Sequence, residues 1–169
     1  MVTGTGMVTD EQRALLDGIG MLLLVRQYNR RVYPEQSGAA ELSPTEFVFV
    51  SVFEFNRQVF INGFDGFVSN TDAEYADFLP VAQPAVGAPR YALLARLAWE
   101  RREPTEGQFD KRFFDAVRDE DLDALLLAYA ERNRDALPDP ALWTPEYHQQ
   151  WERDKEKWWA QRWPQGARR

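Results

Sequence analysis

The residues able to carry chemistry are few, and most of them are carboxylates. Glu54 with Asp65, or Asp72 with Asp77, could converge for acid/base work or to hold a hard cation. However, Asp72, Glu74 and Asp77 are spaced as a loop-to-helix start requires, and no calcium-loop pattern is present. The one histidine, His148, stands beside Gln149 and Gln150 and reads as a surface or packing residue. None of the four serines, Ser37, Ser43, Ser51 and Ser69, sits in a nucleophile elbow. Cysteine is absent, which excludes disulfides, thiol catalysis and thiolate metal sites. Gly63, Gly66, Gly87 and Gly107 fall outside the spacings of phosphate-cradling loops. The chain therefore reads as non-enzymatic, with no cofactor and no metal. The enzymatic alternative is a helical pocket in which Glu54 and Asn62 converge.

The elements that would position these groups are helical. Thr9 to Gln12 is a capping box, and Leu15, Ile19, Leu22 and Leu23 follow on one face, so a helix is expected to run from there until about Tyr28–Tyr33, before Pro34. Residues 35–42 read as a loop. Ser43-Pro44-Thr45-Glu46 is a second box with proline at the first helical position. It leads into Phe47 to Ile61, where Val48, Val52, Phe55 and Val59 share one stripe and Phe49, Phe53 and Phe60 another, as in a central helix. A pair of buried strands competes for this stretch, because Phe and Val favour sheets, but the box and the polar Glu54, Asn56, Arg57 and Gln58 favour helix. Asn62-Gly63 is placed to end or kink it. Residues 73–86 contain Pro80 and Pro84 and are expected to be kinked or split. Helices are expected over 90–101, over 109–117, from a cap at Asp119 through Asn133, and from Thr144 through about Arg162, with a linker at 137–140. The fold class is all-α: a single compact multi-helix domain at 9–137 after a disordered leader at 1–8, then a linker and a Trp-rich C-terminal helix within 138–169.

With 169 residues, 44% apolar and 14% aromatic, the chain can bury a sizeable core. Its 20 basic and 27 acidic residues give a net charge of −7, which argues against ordinary nucleic-acid binding and toward basic partners or plain solubility. Residues 146–169 hold four acids and six bases, leaving −9 on residues 1–145. The acidity is clustered: residues 46–89 carry six acids against Arg57 alone, and Asp119, Glu120, Asp121 and Asp123 form a second burst. The apolar run Ile19–Val25 is far shorter than a bilayer span, and acids precede it, so the chain is expected to be cytoplasmic.

The segment Glu54-Phe-Asn-Arg-Gln-Val-Phe-Ile-Asn62-Gly63-Phe64-Asp-Gly-Phe67-Val-Ser-Asn70 resembles the signature of a bacterial DNA-mimic-protein family, otherwise a helical domain of unknown function. Ala85-Val86-Gly87-Ala88, the stretch Phe109-Asp110 to Phe113-Phe114, and Asp119 to Asn133 continue the likeness, which covers about 43–137. The chain departs from the usual pattern in reading Asn62-Gly63-Phe64-Asp65-Gly66-Phe67, and its tail lies outside it. The resemblance implies an all-helical, often dimeric domain without known catalysis. It further implies surface carboxylates that stand in for DNA phosphates on the DNA-binding face of a regulator. Candidates for that surface are Asp65, Asp72, Glu74 and Asp77, and Asp119, Glu120, Asp121 and Asp123. The motif residues Glu54, Asn62, Gly63, Phe64, Phe67 and Asn70 read as structural.

Five of six tryptophans lie in 143–163. Packing onto the domain is the first reading of this tail, and a homodimer or partner interface through Trp151, Trp158 and Trp159 is the second. The expected function is an acidic, non-catalytic protein-binding module whose partner is a basic DNA-binding regulator. The alternative is an immunity or antitoxin-like protein that neutralises a basic toxin. No direct contact with nucleic acid or membrane is expected.

Overall fold

In the computed structural model, which describes residues 8–71, 73–101, 115 and 120–162, the chain opens on a closed capping box. Thr9 Oγ1 accepts from Gln12 N while the Gln12 side chain accepts from Thr9 N, so two donors the first turn leaves unpaired are satisfied together. Helix α1 (Asp10–Val32) follows, and Pro34 ends it, since the residue before a proline is pushed out of helical geometry. A single turn, α2 (Pro34–Ser37), occupies part of the expected loop. Ser43 and Glu46 close the second box and start α3 (Pro44–Asn70). The Phe/Val-rich stretch is thus helix, and there is no strand among the described residues.

Helix α3 is two helices joined at a kink. Gly63 adopts φ 66° and ψ −171°, a conformation essentially reserved for glycine. The bend folds the second half back so closely that a Cβ on Gly66 would lie 1.9 Å from Asn62 Cβ. The Asn-Gly-Phe-Asp-Gly-Phe run is therefore a hinge whose two glycines have separate reasons to be glycine. Beneath it Phe64 and Phe67 are buried, with ring centroids 6.0 and 4.9 Å from Phe55.

Of the expected kinked or split helix over 73–86, the split is absent: α4 (Ala73–Val86) is one helix with Pro80 and Pro84 inside it. Both prolines face solvent. Helices α5 (Pro89–Arg101) and α6 (Leu122–Arg132) complete the layer around α3. The cap of α6 is Asp121 rather than Asp119, since its side chain accepts from Ala124 N. Asp119, Asp72, the helix expected over 109–117 and the leader at 1–7 lie outside the described residues.

Helices α1 and α3 cross antiparallel. Arg26 meets Glu46 at 2.7 Å near one end, Gly20 lies under the Phe53 ring in the middle, and Arg13 and Asn56 share Asp123 at the other end. This register decides which apolar residues are covered. Leu16, Ile19, Leu23, Phe49, Val52 and Phe55 are buried, whereas Leu15 turns outward at 36% exposure. Phe60, expected on the buried stripe of Phe49 and Phe53, is instead 84% exposed.

Two 3₁₀ turns, Arg134–Ala136 and Pro140–Leu142, carry the chain back over α1, where Pro140 closes on Gly18. Helix α7 (Pro145–Arg162) then lies along the C-terminal half of α1. The Trp151 indole donates to Asn29 Oδ1 (2.9 Å), Trp158 packs on Tyr33 at 4.9 Å between centroids, and Arg162 donates to the Val32 carbonyl (2.6 Å). No residue of α7 is buried, so the helix is held by a few long side chains rather than by an apolar seam.

The hinge supplies a test. Gly66→Ala is expected to cost about 1–3 kcal/mol, as overpacking does. Asn62→Ala does not relieve it, because the obstructing atom is Asn62 Cβ, while Asn62→Gly does. Thermal unfolding of Gly66→Ala alone and combined with each change at Asn62 checks this. If Gly66→Ala lowers the melting point equally with and without Asn62→Gly, the contact is unimportant.

Candidate acidic interface

The second acidic burst is a structural junction. Glu120 reaches back to the start of α5, where its two carboxylate oxygens accept from Arg90 N and Tyr91 N, each at 3.2 Å. Pro89 has no N–H at the preceding position, so this one side chain serves the donors that α5 cannot pair internally. Asp121 caps α6. Asp123 accepts from Arg13 and from Asn56, both at 2.7 Å, tying α6 to α1 and α3. The carboxylates between α5 and α6 are thus held by backbone and side-chain donors while Asp121 stays exposed and Glu120 half-exposed.

These acids line a cleft of about 460 Å³ together with Asp17 of α1, and Phe60 and Ile61 stand at the same cleft, 84% and 62% exposed. Tyr91 also lines it. Burial, and then the charges of Glu120, Asp121 and Asp123, push its hydroxyl up to about 12. Asp17 is raised above the ordinary aspartate value, first by desolvation and also by Asp123, against a lowering by Arg13. Arg13 is already bound to Asp123, and the other cleft cation, Arg57, chelates Glu54 at 2.8 and 3.0 Å. Among the described residues no cation lies in salt-bridge range of Asp17. The electrostatic environment of the cleft is negative and incompletely compensated.

The other expected acids lie elsewhere. Glu74 accepts from Gln27 at 3.3 Å, and Gln27 is fourteen residues along α1 from Arg13, or roughly 20 Å at the helical rise. Asp77 shares the exposed side of α4, and Asp65 is exposed on the second half of α3. None of these three lines the cleft of the Glu120–Asp123 group. Glu54 and Asn62 do not converge on an open site. Glu54 is 6% exposed and its Oε1 accepts from Gln58 (2.7 Å), whose Oε1 in turn accepts from Asn62 (3.2 Å), forming a hydrogen-bonded ladder down α3 into the hinge. Asn70 is the exposed last residue of α3. Of the aromatic candidates, Trp151 and Trp158 face α1 and Trp159 is 43% exposed. Among the described residues no group of three or more His, Asp or Glu is placed to hold a metal, and no helix is long and apolar enough to cross a membrane. Sequence reasoning passed over Asp17 and the exposed Phe60–Ile61 pair. The i, i+4 spacing of Arg13 and Asp17 was the available signal for the first.

A family model described as DMP19-like protein matches residues 40–144, which is more than half of the chain. The chain belongs to this family of DNA-mimic proteins. No match is found among curated proteins or among solved structures. The range shared with DMP19-like proteins takes in the hinge, both cap acids of the junction and Asp123. Asp17 and Arg13, from α1, lie outside it, as does α7, so this DMP19-like chain completes its cleft with residues the family match does not span.

The state of Asp17 has a consequence for stability. Its folded-state pKa lies above the unfolded value, so the charged form opposes folding at neutral pH, and that opposition fades as pH falls through the raised pKa. Asp17→Asn is therefore expected to raise the melting temperature at pH 7 and to give no gain near pH 3. A lower melting point for the variant at pH 7 would mean that Arg13 compensates the charge after all.

Proposed function

We propose that this DMP19-like chain is a non-catalytic acidic module that occupies the DNA-binding face of a basic protein, using the cleft of Asp17, Glu120, Asp121 and Asp123. The observation that carries the reading is the gathering of four carboxylates from separate parts of the chain in one cleft, on a scaffold of a DNA-mimic family. Duplex DNA presents one charge per about 1.7 Å of axis, so a substitute must hold several negative groups close together despite their repulsion. Here the repulsion is offset by fixed donors: two backbone N–H groups on Glu120, one on Asp121, and Arg13 and Asn56 on Asp123. Groups already ordered lose little further freedom on binding, which favours affinity. Asp10 and Asp17 lie on one side of α1, about 10 Å apart along its axis, and extend the acidic line. The neutralisation of Glu54 by Arg57 and Gln58 supports a role in holding α3 rather than in proton transfer.

The test removes charge while keeping the caps. Asp121→Asn remains a good N-cap, Glu120→Gln keeps one acceptor oxygen, and Asp17→Asn touches neither. The triple variant should fold as the native chain does. A DNA-binding protein recovered on the native chain from the source cells should be released from its own duplex by the native chain and about tenfold or more less well by the variant, with a shallower dependence on salt. If that partner holds duplex and this chain at the same time, or if the triple variant competes as well as native, the proposal fails.

A further inference from the structure

The exposed pair Phe60–Ile61 is unexplained by charge mimicry. Phosphates offer a substitute nothing apolar to imitate, yet two large apolar side chains stand at the acidic cleft, 84% and 62% exposed. Their position is built in. They stand on the last turn before the Gly63 kink, at the cleft that Arg13 of α1 also lines, and neither is covered. The kink then turns the chain away, leaving both residues on an end of the helix.

We infer that Phe60 and Ile61 form an apolar anchor for a helix of the basic partner, one that carries an apolar side chain within a turn of its lysines or arginines. The inference rests on the proposed function and deepens it by stating the partner's chemistry. Charge complementarity selects the occupant: Asp17, Glu120, Asp121 and Asp123 face the same cleft, and the two cleft arginines are already bound to carboxylates. A helix suits a cleft of about 460 Å³ between α1, α3 and α6, because residues three and four apart on its surface project together. The acids then supply steering and a salt-dependent contribution. The anchor supplies a salt-independent one that duplex DNA cannot match, so the partner is held where DNA is shed.

The experiment uses the full chain and two synthetic helical peptides of about sixteen residues with identical lysine and arginine positions. One carries leucines at i, i+3 and i+4 beside the basic residues, and the other carries serines there. The native protein should bind the leucine peptide at least tenfold tighter, and the preference should persist at raised salt. Phe60→Ser with Ile61→Ser, at positions whose exposure spares the fold, should abolish the preference while leaving the serine peptide's affinity unchanged. The triple acid variant should weaken both peptides. Equal binding of the two peptides to the native protein, or a preference that survives loss of Phe60 and Ile61, overturns the anchor while acid-dependent binding leaves the mimic reading in place. Undiminished binding of both peptides to the acid variant instead overturns the reading beneath it. Conversion of a dimer to a monomer by the Phe60 and Ile61 changes, without peptide preference, assigns the pair to a second copy of this chain and also overturns the anchor.

Discussion

The arrangement of this domain turns on the Asp123 carboxylate. One oxygen takes the Arg13 guanidinium of α1 and the other takes the Asn56 amide of α3, each at 2.7 Å, from the first turn of α6. Three helices far apart in sequence are thereby brought to one point. The neighbours of Asp123 extend the junction: Asp121 caps α6 itself and Glu120 caps α5. A short run of acids thus satisfies the ends of two helices and the sides of two more. Each bond is of the charge-assisted kind, worth more than a neutral one and costly to leave half made. The register of α1 on α3 follows, with Gly20 admitting the Phe53 ring midway and Arg26 closing on Glu46 at the far end.

From that register the remaining surface is determined. The start of α1 and the hinge at Gly63 and Gly66 fall at the same level of α3. Phe60 and Ile61 stand exposed on the turn just before it. The acids and the apolar pair are neighbours because both line the cleft at this end of the α1–α3 pair.

Much of the fold was legible because it is local. Capping boxes at Thr9 and Ser43 need only residues three apart, and both formed. The hinge at Asn62-Gly63 and the helix starts at Pro89 and near Thr144 are equally short-range. What depended on distance was not legible. The choice of Leu16 over Leu15 for the core follows from where α1 crosses α3, and the exposure of Phe60 breaks the apolar stripe it shares with Phe49 and Phe53. Asp119 and Asp121 satisfy the same cap rule, and the position of the helix selects Asp121. Runs of acids in the sequence do not tell which of them share a cleft: Glu74 meets Gln27 of α1 far from Asp123, while Asp17, isolated in the sequence, lines the same cleft as Asp123.

The two kinds of acid in the cleft divide its work. Glu120, Asp121 and Asp123 are bonded to donors of the fold, which holds them in place, and their charge is only partly spent on those bonds. Asp17 has no such donor among the described residues; partial desolvation raises its pKa, Arg13 lowers it, and Asp123 raises it again. A basic side chain brought beside Asp17 would relieve that residue and meet acids whose positions are already fixed, which is the chemistry on which the proposed binding role of the cleft rests.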